Sequence, residues 1–202
     1  MSISIIIPAR YGSSRYRGKP LVKILGKEMV IRVADICNKI KNVKVFIATD
    51  SKKIANVVKK YGYKYIFTSS SCLTGTDRVA EAAKKIRSKI YINVQGDEPT
   101  INPKDIKKVI ETKKKFPNHV VCGYDKVHDF ENPSSINLPK VVVNSKGELI
   151  YISRALVPGK KKISQKILYH KQVCIYAFNK KQLNKFHLKK RKNIIEKIED
   201  IE

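Results

Sequence analysis

Short runs of β-branched residues alternate along the chain with stretches whose apolar residues recur at helical spacing. Residues 3–7 form an almost continuous apolar run, which is typical of a strand buried on both faces of a sheet. In residues 29–39 the apolar side chains instead fall three or four positions apart, which is the spacing of one helix face. This alternation predicts an α/β domain with a mostly parallel sheet.

The first half of the chain continues this alternation in order. Strands are predicted at residues 43–48, 65–67 and 90–94, and helices at 52–61, 77–86 and 102–114. Ser51 is a favoured capping residue before the first of these helices, and Pro103 stands in the first turn of the last one. The resulting β-α-β-α-β-α-β-α order is typical of a doubly wound sheet.

Beyond Pro117 the pattern changes to strand-like segments separated by loops rich in Pro, Asn, Gly and Lys. These segments are residues 120–124, 140–143, 149–153 and 173–178. We expect them to add a mixed β extension to the sheet and to form a lid or a dimer arm. The sequence thus predicts a single domain over residues 1–202 with two halves, 1–117 and 118–202.

The composition excludes several classes of protein. A chain of 202 residues with 42% hydrophobic side chains can build one well-packed core, and no window offers the roughly 18 consecutive apolar residues of a membrane helix. The apolar run at residues 3–7 is too short for a signal peptide and lacks a basic leader, so a cytoplasmic protein is expected. The 4 cysteines form no C-x-x-C pair, which favours free thiols over zinc or redox chemistry.

The net charge of +26 is the unusual feature of the composition. Many lysines fall on predicted helices, where a solvated basic face explains them, and a nucleic-acid-binding surface is the alternative. Two segments carry cations without any acid: residues 1–27 hold 6 and residues 149–195 hold 13. These segments favour a ligand with several negative charges, such as a nucleotide, an acidic sugar or a polynucleotide.

The loop after the first strand has the composition of a phosphate-binding loop. Arg10, Arg15 and Lys19 supply positive charge, while Gly12 and Ser13 offer tight turns and polar donors. The pattern G-x-x-x-x-G-K-[ST] fails because a proline follows the Gly-Lys pair, and G-x-G-x-x-G is absent. The sequence therefore predicts a triphosphate site outside the P-loop and nicotinamide-binding classes.

Two further loops at the ends of predicted strands carry candidate chemistry. Asp97 follows the strand at residues 90–94, where a carboxylate facing a phosphate-binding loop is suited to hold Mg²⁺ together with phosphate oxygens. Glu98 precedes a proline and is expected to shape the turn. The loop at residues 74–78 opens a helix whose first N–H groups suit an anion or a carbonyl-rich ligand, although Asp77 is equally a plain helix cap.

Six segments together resemble, in order and spacing, the 3-deoxy-manno-octulosonate cytidylyltransferase (CMP-Kdo synthetase) family. They are IPARYGSSR at 7–15, GKPL at 18–21, ATD at 48–50, GTDR at 75–78, NVQGDEP at 93–99 and YISR at 151–154. The resemblance runs from about residue 3 to the end of the chain. It implies an α/β fold of the nucleotide-sugar transferase (GT-A-like) type and a homodimer. It also implies activation of an acidic 2-keto-3-deoxy sugar with CTP for bacterial lipopolysaccharide synthesis.

In the implied reaction the anomeric hydroxyl of the sugar attacks the α-phosphorus of CTP and pyrophosphate leaves. The resemblance makes residues 1–117 the nucleotide-binding half and assigns catalysis to Arg10, Arg15, Lys19 and Asp97, with Asp97 as the Mg²⁺ ligand. Pro8, Ala9 and the loop at residues 71–78 are expected to read the cytosine. The implied nucleotide contacts are Pro8, Ala9, Arg10, Gly12, Ser13, Arg15, Lys19, Ser71, Thr76 and Arg78.

The resemblance makes residues 118–202 the sugar-binding and dimerisation half. It implies that Arg154 pairs with the sugar carboxylate and that Glu196 or Glu199 lies near sugar hydroxyls, with Gln95 meeting the sugar from the first half. Gln172, which stands where the family commonly has a histidine, is expected to contact hydroxyls as well. The alternatives are that Arg154 braces a loop or the dimer arm of this half, and that Glu196 and Glu199 lie on a solvated helix face. The acid-free segment 149–195 is consistent with an anion-attracting wall.

Apolar residues from 194 to 201 follow helical spacing, yet the chain stops there without a glycine cap. The family continues for several tens of residues, with a strand and an aspartate that is a second metal ligand, so we expect a truncated form of a longer protein.

Two other functions stay open. One is a cytidylyltransferase for a sialic-acid-like nonulosonate; the other is a basic nucleic-acid-binding protein, for which Tyr61, Tyr63 and Tyr65 are the only aromatic cluster.

Overall fold

The computed structural model describes residues 1–12, 16–162, 164, 166–189 and 191–201. The strands are β1 Ile3–Ala9, β2 Lys23–Ile24, β3 Lys27–Glu28, β4 Lys44–Thr49, β5 Lys64–Phe67, β6 Ile90–Val94, β7 Val121–Lys126, β8 Lys140–Val143, β9 Leu149–Ser153 and β10 His170–Phe178. The helices are α1 Met29–Asn38, α2 Lys52–Lys60, α3 Gly75–Lys84, α4 Pro103–Lys115, α5 Lys180–Leu188 and α6 Ile194–Glu199, and a 3-10 turn spans Lys19–Leu21.

These elements fall into two compact units. The first unit is Met1–Val121 with Cys174–Arg191, and the second is Cys122–Val173 with Lys192–Glu202. The sequence pattern predicts a single domain with two halves that meet at residue 117. The chain leaves the first unit close to that point and returns to it for the end of β10 and for α5.

In the first unit the strands lie side by side in the order β5-β4-β1-β6-β10. β1 is parallel to both β4 and β6, β4 is parallel to β5, and β10 runs antiparallel to β6. From β1 the chain order runs outward to β5 on one side and jumps to β6 on the other. The crevice at the carboxyl ends of β1 and β6 is therefore the topological switch point, where such sheets bind ligands. The predicted doubly wound, mostly parallel sheet is confirmed.

Burial explains why the central strands read as continuous apolar runs. Every residue of β1 and β6 is buried, as expected for parallel strands covered on both faces. α1 packs against α4, and α3 packs against α5. Lys113 of α4 is 1% exposed and donates to the carbonyls of Pro117 and His119 and to Gln182 Oε1. These three bonds satisfy the buried ammonium and tie the end of α4 to the start of α5.

The second unit contains antiparallel strands, in the part of the chain for which a mixed β extension was predicted. β8 pairs with β9, with an irregularity between Val142 and Val143, and residues of β10 pair with β8. Lys140 at the start of β8 is buried, and its ammonium donates to the carbonyls of Ser135 at 2.9 Å and Arg154 at 2.7 Å. Burial lowers the pKa of this lysine.

Helix starts are where the structure departs most from the sequence expectations. α3 begins at Gly75 and is capped by Thr74, whose Oγ1 accepts from the Asp77 N–H at 3.1 Å, so the expectation of Asp77 as the plain cap was wrong. Ser51 holds the N-cap position of α2 without a side-chain hydrogen bond. α5 was not predicted, although Asn179 and Gln182 form a capping box at its start.

Two expectations about composition also have structural counterparts. Cys37 is buried and Cys72, Cys122 and Cys174 are half-buried, which agrees with the expected buried or semi-buried thiols. Of the helices in the described part of the chain, none is long and apolar enough to cross a bilayer.

Candidate functional site

The loop after β1 leaves the sheet at the switch point. Pro8 and Ala9 are buried within β1, while Arg10, the first residue beyond the strand, is exposed. The Gly18 N–H donates to the Tyr11 carbonyl at 2.8 Å, which closes the loop before Lys19 begins the 3-10 turn. Gly12 is exposed and has open space around its Cα. Of the predicted nucleotide contacts, Ser13 and Arg15 lie outside the described residues.

The Tyr11 ring is set among cations. The Arg17 guanidinium carbon lies 5.7 Å from the ring centroid, and the Lys53 ammonium lies 5.1 Å from it. Cations at this distance are attracted by the aromatic face. The Tyr11 ring therefore keeps the charges of Arg17 and Lys53 close to the phosphate-binding loop, in addition to the charges of Arg10 and Lys19.

The loop after β6 brings a carboxylate to the same edge of the sheet. Asp97 Oδ2 accepts from Lys19 Nζ at 2.6 Å, and both side chains remain about half exposed, at 47% and 46%. The two residues predicted to handle phosphate and metal are thus in direct contact. An exposed ion pair of this kind contributes little stability, so its groups are available to exchange partners with a ligand.

Glycines allow the loops to approach each other closely. A Cβ on Gly96 would lie 2.7 Å from the Pro8 carbonyl oxygen, a distance that real Cβ atoms essentially never show. A Cβ on Gly75 would lie 2.9 Å from Gln95 Nε2. The loops that follow β1 and β6 and the start of α3 therefore meet at one place, with Gln95 lying against α3.

Glu98 lies behind Asp97 in a partly buried position. Burial raises the pKa of its carboxyl, and the neighbouring Asp97 charge raises it further. Lys19 and a hydrogen bond from Cys174 oppose this shift. The expectation that Glu98 shapes the turn is consistent with its backbone, because the Glu98 N–H donates to the Gln95 carbonyl and its own carbonyl accepts from Ile101.

The loop at residues 71–78 contributes two buried nucleotide candidates, Thr76 and Arg78, and one exposed candidate, Ser71. Thr76 is buried, and its Oγ1 accepts from Asn93 Nδ2 of β6 at 3.3 Å. Among the described residues, Asn93 Oδ1 is a buried acceptor without a hydrogen-bond partner. Ser71 is exposed, and its N–H donates to Ser69 Oγ at 3.0 Å.

Arg78 is enclosed by protein groups. Its side chain is 3% exposed; Nη2 donates to Asp50 Oδ2 at 3.0 Å and Nη1 donates to Thr68 Oγ1 at 2.6 Å. Asp50 Oδ1 in turn accepts from the Tyr11 N–H at 3.4 Å. From the sequence, Asp50 is part of the ATD motif and has no predicted role. Its position directly after a buried strand was the signal that it reaches the ligand edge.

The remaining sugar-binding candidates lie in the second unit. Arg154 Nη1 donates to the Ile136 carbonyl at 2.8 Å, Nη2 donates to the Asp200 carbonyl at 3.3 Å, and Nε donates to the Glu199 carbonyl. In this arrangement all three guanidinium nitrogens donate to backbone carbonyls, two of which lie at the end of α6. A sugar carboxylate would have to displace at least one of these acceptors.

Glu199 forms further hydrogen bonds that attach the end of α6 to β9 and Arg154. Its carboxylate accepts from Ser153 Oγ and from the Arg154 N–H, each at 2.7 Å, and these bonds lower the pKa of the carboxyl. Glu196 caps its own helix, because its carboxylate accepts from the Asn193 N–H at 2.7 Å. Gln172 lies in β10, with its N–H donating to the Pro139 carbonyl at 2.9 Å.

The donor set at Asp97 suits a metal ion shared with a phosphate. Among the described residues, no group of three or more His, Cys, Asp or Glu side chains is placed to hold a metal ion. Mg²⁺ prefers oxygen ligands and is commonly bound through one or two carboxylates with substrate phosphates and water. A single half-exposed carboxylate beside a basic loop fits that mode.

Comparison with known proteins identifies the class to which this site belongs. A model of the cytidylyltransferase family matches residues 4–202, and the chain belongs to that family. Its relatives include the 3-deoxy-manno-octulosonate cytidylyltransferase of Escherichia coli, 37% identical over 90% of this chain and 74% of the relative. The enzyme of the same name from Rickettsia felis is 39% identical over 99% of this chain and 80% of its own length.

A solved structure agrees with these relatives. It is that of a CMP:2-keto-3-deoxy-manno-octonic acid synthetase complexed with CTP, 34% identical, covering 100% of this chain and 83% of the other, with a TM-score of 0.90. The resemblance stated from the six sequence segments is confirmed. The chain is a nucleotidyltransferase of the 3-deoxy-manno-octulosonate cytidylyltransferase type.

Proposed function

We propose that the chain transfers the cytidylyl group of CTP to the anomeric hydroxyl of 3-deoxy-manno-octulosonate, giving the CMP-sugar and pyrophosphate for lipopolysaccharide synthesis. The observation that carries this proposal is the contact between Lys19 and Asp97 at the switch point, 2.6 Å apart, beneath a basic loop. The names of the relatives point to the octulosonate and give no support to the nonulosonate alternative.

Phosphate binding follows from the charge of the loop. Arg10 and Lys19, with Arg15, supply the cations that hold the triphosphate and stabilise the charge that develops on pyrophosphate as it leaves. The sugar oxygen bonds to the α-phosphorus, the bond from that phosphorus to the oxygen shared with the β-phosphate breaks to release pyrophosphate, and the hydroxyl proton passes to water. Catalysis then depends mainly on alignment and charge neutralisation, because the protein contributes no covalent intermediate.

Asp97 is the proposed ligand of Mg²⁺. When bound, the ion neutralises phosphate charge and lowers the pKa of the attacking hydroxyl. Lys19 would exchange its contact with Asp97 for phosphate oxygens, since an exposed ion pair costs little to separate. Pro8, Ala9 and Gly12, together with Ser71 and Thr76, are proposed to line the nucleoside.

Gln95 is the proposed sugar contact in the first unit, because it follows β6 directly and lies against Gly75. Arg154, Gln172 and Glu196 are proposed sugar contacts in the second unit. Because CTP is an intracellular nucleotide, we propose a cytoplasmic location. A homodimer is the proposed assembly, in which the exposed apolar side chains of β9, Leu149 and Ile150, would be covered.

The test is pyrophosphate release measured with each of the four nucleoside triphosphates against a panel of 2-keto-3-deoxy sugar acids. We expect release only with CTP and an octulosonate, and loss of release in excess chelator. Selective use of a nonulosonate would support the alternative sugar. Release with all four nucleotides, or in excess chelator, would contradict the proposed nucleotide and metal roles.

A further inference from the structure

Asp50 connects the loop after β1 to helix α3, two elements whose relative position matters for the proposed reaction. It directly follows β4, and its two carboxylate oxygens accept from different elements: Oδ1 from the Tyr11 N–H at 3.4 Å and Oδ2 from Arg78 Nη2 at 3.0 Å. Tyr11 belongs to the loop after β1, and Arg78 belongs to the first turns of α3. One side chain thus connects the phosphate-binding loop to the helix after the third loop.

We propose that Asp50 and Arg78 are positioning residues: the pair holds the phosphate-binding loop in place, and Arg78 acts through Asp50 without touching the nucleotide. This rests on the proposed function, because it concerns how that site keeps its shape. It replaces the nucleotide contact that the sequence resemblance implied for Arg78.

Burial supports this assignment. The side chain of Arg78 is 3% exposed and that of Asp50 is 15% exposed, whereas the Lys19–Asp97 pair at the ligand edge is nearly half exposed. Arg78 also donates to Thr68, the residue after β5, at 2.6 Å. Both terminal nitrogens of the guanidinium are therefore committed to protein acceptors at the ends of β4 and β5.

The loop depends on this pair for a physical reason. A loop that carries Arg10, Arg17 and Lys19 repels itself, and a fixed carboxylate at its start holds the backbone by a charge-assisted bond to an N–H. Removing Arg78 leaves a partly buried carboxylate without its counter-charge, which favours reorientation of Asp50 toward water. The Tyr11 amide then loses its acceptor, and the loop loses the geometry on which charge stabilisation depends.

A double-mutant cycle separates positioning from direct contact. We expect Asp50→Ala to lower kcat/KM for CTP by roughly thirty- to a hundredfold, and Asp50→Asn or Arg78→Met by about tenfold each, with sugar KM within about twofold. Asn keeps an acceptor for Tyr11, so it should rescue part of the loss. The Asp50→Asn/Arg78→Met double variant should have a kcat/KM for CTP within about twofold of that of the less active single variant, because both changes break the same connection.

Asp35→Asn is the matched control. Among the described residues, Asp35 accepts from Lys27 at 2.6 Å and from the Tyr63 hydroxyl at 2.5 Å, and neither partner belongs to the phosphate-binding loop, so kcat/KM for CTP should stay within about twofold of the wild type. Melting curves accompany every variant, and Arg78→Lys replaces Arg78→Met where the latter does not fold. A folded Asp50→Asn with unchanged CTP kinetics would overturn the proposal. The proposal would also be overturned if the losses of kcat/KM in the two single variants multiplied in the double variant.

Amide hydrogen exchange supplies a readout that does not depend on turnover. In Asp50→Ala the Tyr11 amide should exchange at least about tenfold faster, while amides of β1 keep their protection. If the wild type fails to consume CTP, the proposed function fails, and the exchange of Tyr11 still decides the role of Asp50. Wild-type exchange at Tyr11 in Asp50→Ala would overturn the positioning role.

Discussion

At the scale of single residues, Gly96 shows how closely the two ligand-edge loops must approach. We expect Gly96→Ala to lose about 1 to 3 kcal/mol of stability, because the new methyl group would meet the Pro8 carbonyl oxygen at 2.7 Å. The displaced loop should lower kcat/KM for CTP by roughly ten- to a hundredfold. Steady-state kinetics with melting curves measure both effects.

Gly159→Ala is the control for this change, because no heavy atom lies within 4 Å of its Cβ position. Its stability and CTP kinetics should match the wild type. Wild-type kinetics in Gly96→Ala would show that the loops tolerate a wider separation than the structure has.

Glu98 makes the stability of the protein depend on pH. Burial and the Asp97 charge raise its pKa above the ordinary value of 4.5, so the folded state binds this proton more tightly than the unfolded state. The stability from this group is complete below the ordinary pKa and is lost as pH rises through the raised value. Glu98→Gln should therefore be more stable than the wild type at neutral pH, with the difference shrinking in acid.

Melting temperatures of both proteins from about pH 4 to about pH 8 measure this difference. A difference in melting temperature that stays constant across that range would contradict the raised pKa of Glu98. A larger advantage of the variant in acid than at neutral pH would mean that the sign of the shift is reversed.

At the scale of elements, α6 is held by Arg154. Arg154→Lys should cost about 1 to 3 kcal/mol of stability, because one ammonium cannot reach the carbonyls of Ile136, Glu199 and Asp200 together. The expected observation is a lower melting temperature, with exposed Arg87→Lys as the unaffected control. An unchanged melting temperature with sugar KM raised about tenfold would instead support the carboxylate fork.

The elements differ in how well sequence predicts them. β1 and β6 were predicted well because strands buried on both faces need runs of apolar, mostly β-branched residues. β9 was predicted from its apolar composition, although its first three residues are exposed. α5 was missed because only Leu183 is buried along it, which leaves a weak apolar stripe. The short β2–β3 hairpin was missed because two-residue strands carry no periodicity.

Some residues of the candidate site could likewise be predicted from the sequence, and others could not. Lys19 and Asp97 were predictable because each follows a strand of a parallel sheet, and the fold order brings those ends together. The Asp50–Arg78 pair was not, since the same residues are compatible with direct ligand contact until the buried geometry is known. A bracing role for Arg154 was the alternative at the sequence level, but its acceptors could not be predicted, because backbone carbonyls have no signature in sequence.

At the scale of the whole molecule, the net charge of +26 should act on the approach of an anionic substrate. KM for CTP should rise by about three- to tenfold between roughly 50 mM and 500 mM salt, while kcat changes little, because added ions screen the attraction. An uncharged osmolyte at equal osmolarity is the control. A KM for CTP that is independent of salt would show that the excess charge lies on faces that CTP does not meet.

The most direct test of the account is phosphorus NMR of the reaction itself. The wild type, with CTP, 3-deoxy-manno-octulosonate and Mg²⁺, should convert the triphosphate signals into one phosphodiester signal and one pyrophosphate signal of about twice its area, because each pyrophosphate carries two equivalent phosphorus atoms. Asp97→Asn should slow this conversion by at least about a hundredfold while the protein stays folded. A folded wild type that leaves CTP intact, or an Asp97→Asn variant with wild-type conversion, would contradict cytidylyl transfer at the edge formed by β1 and β6.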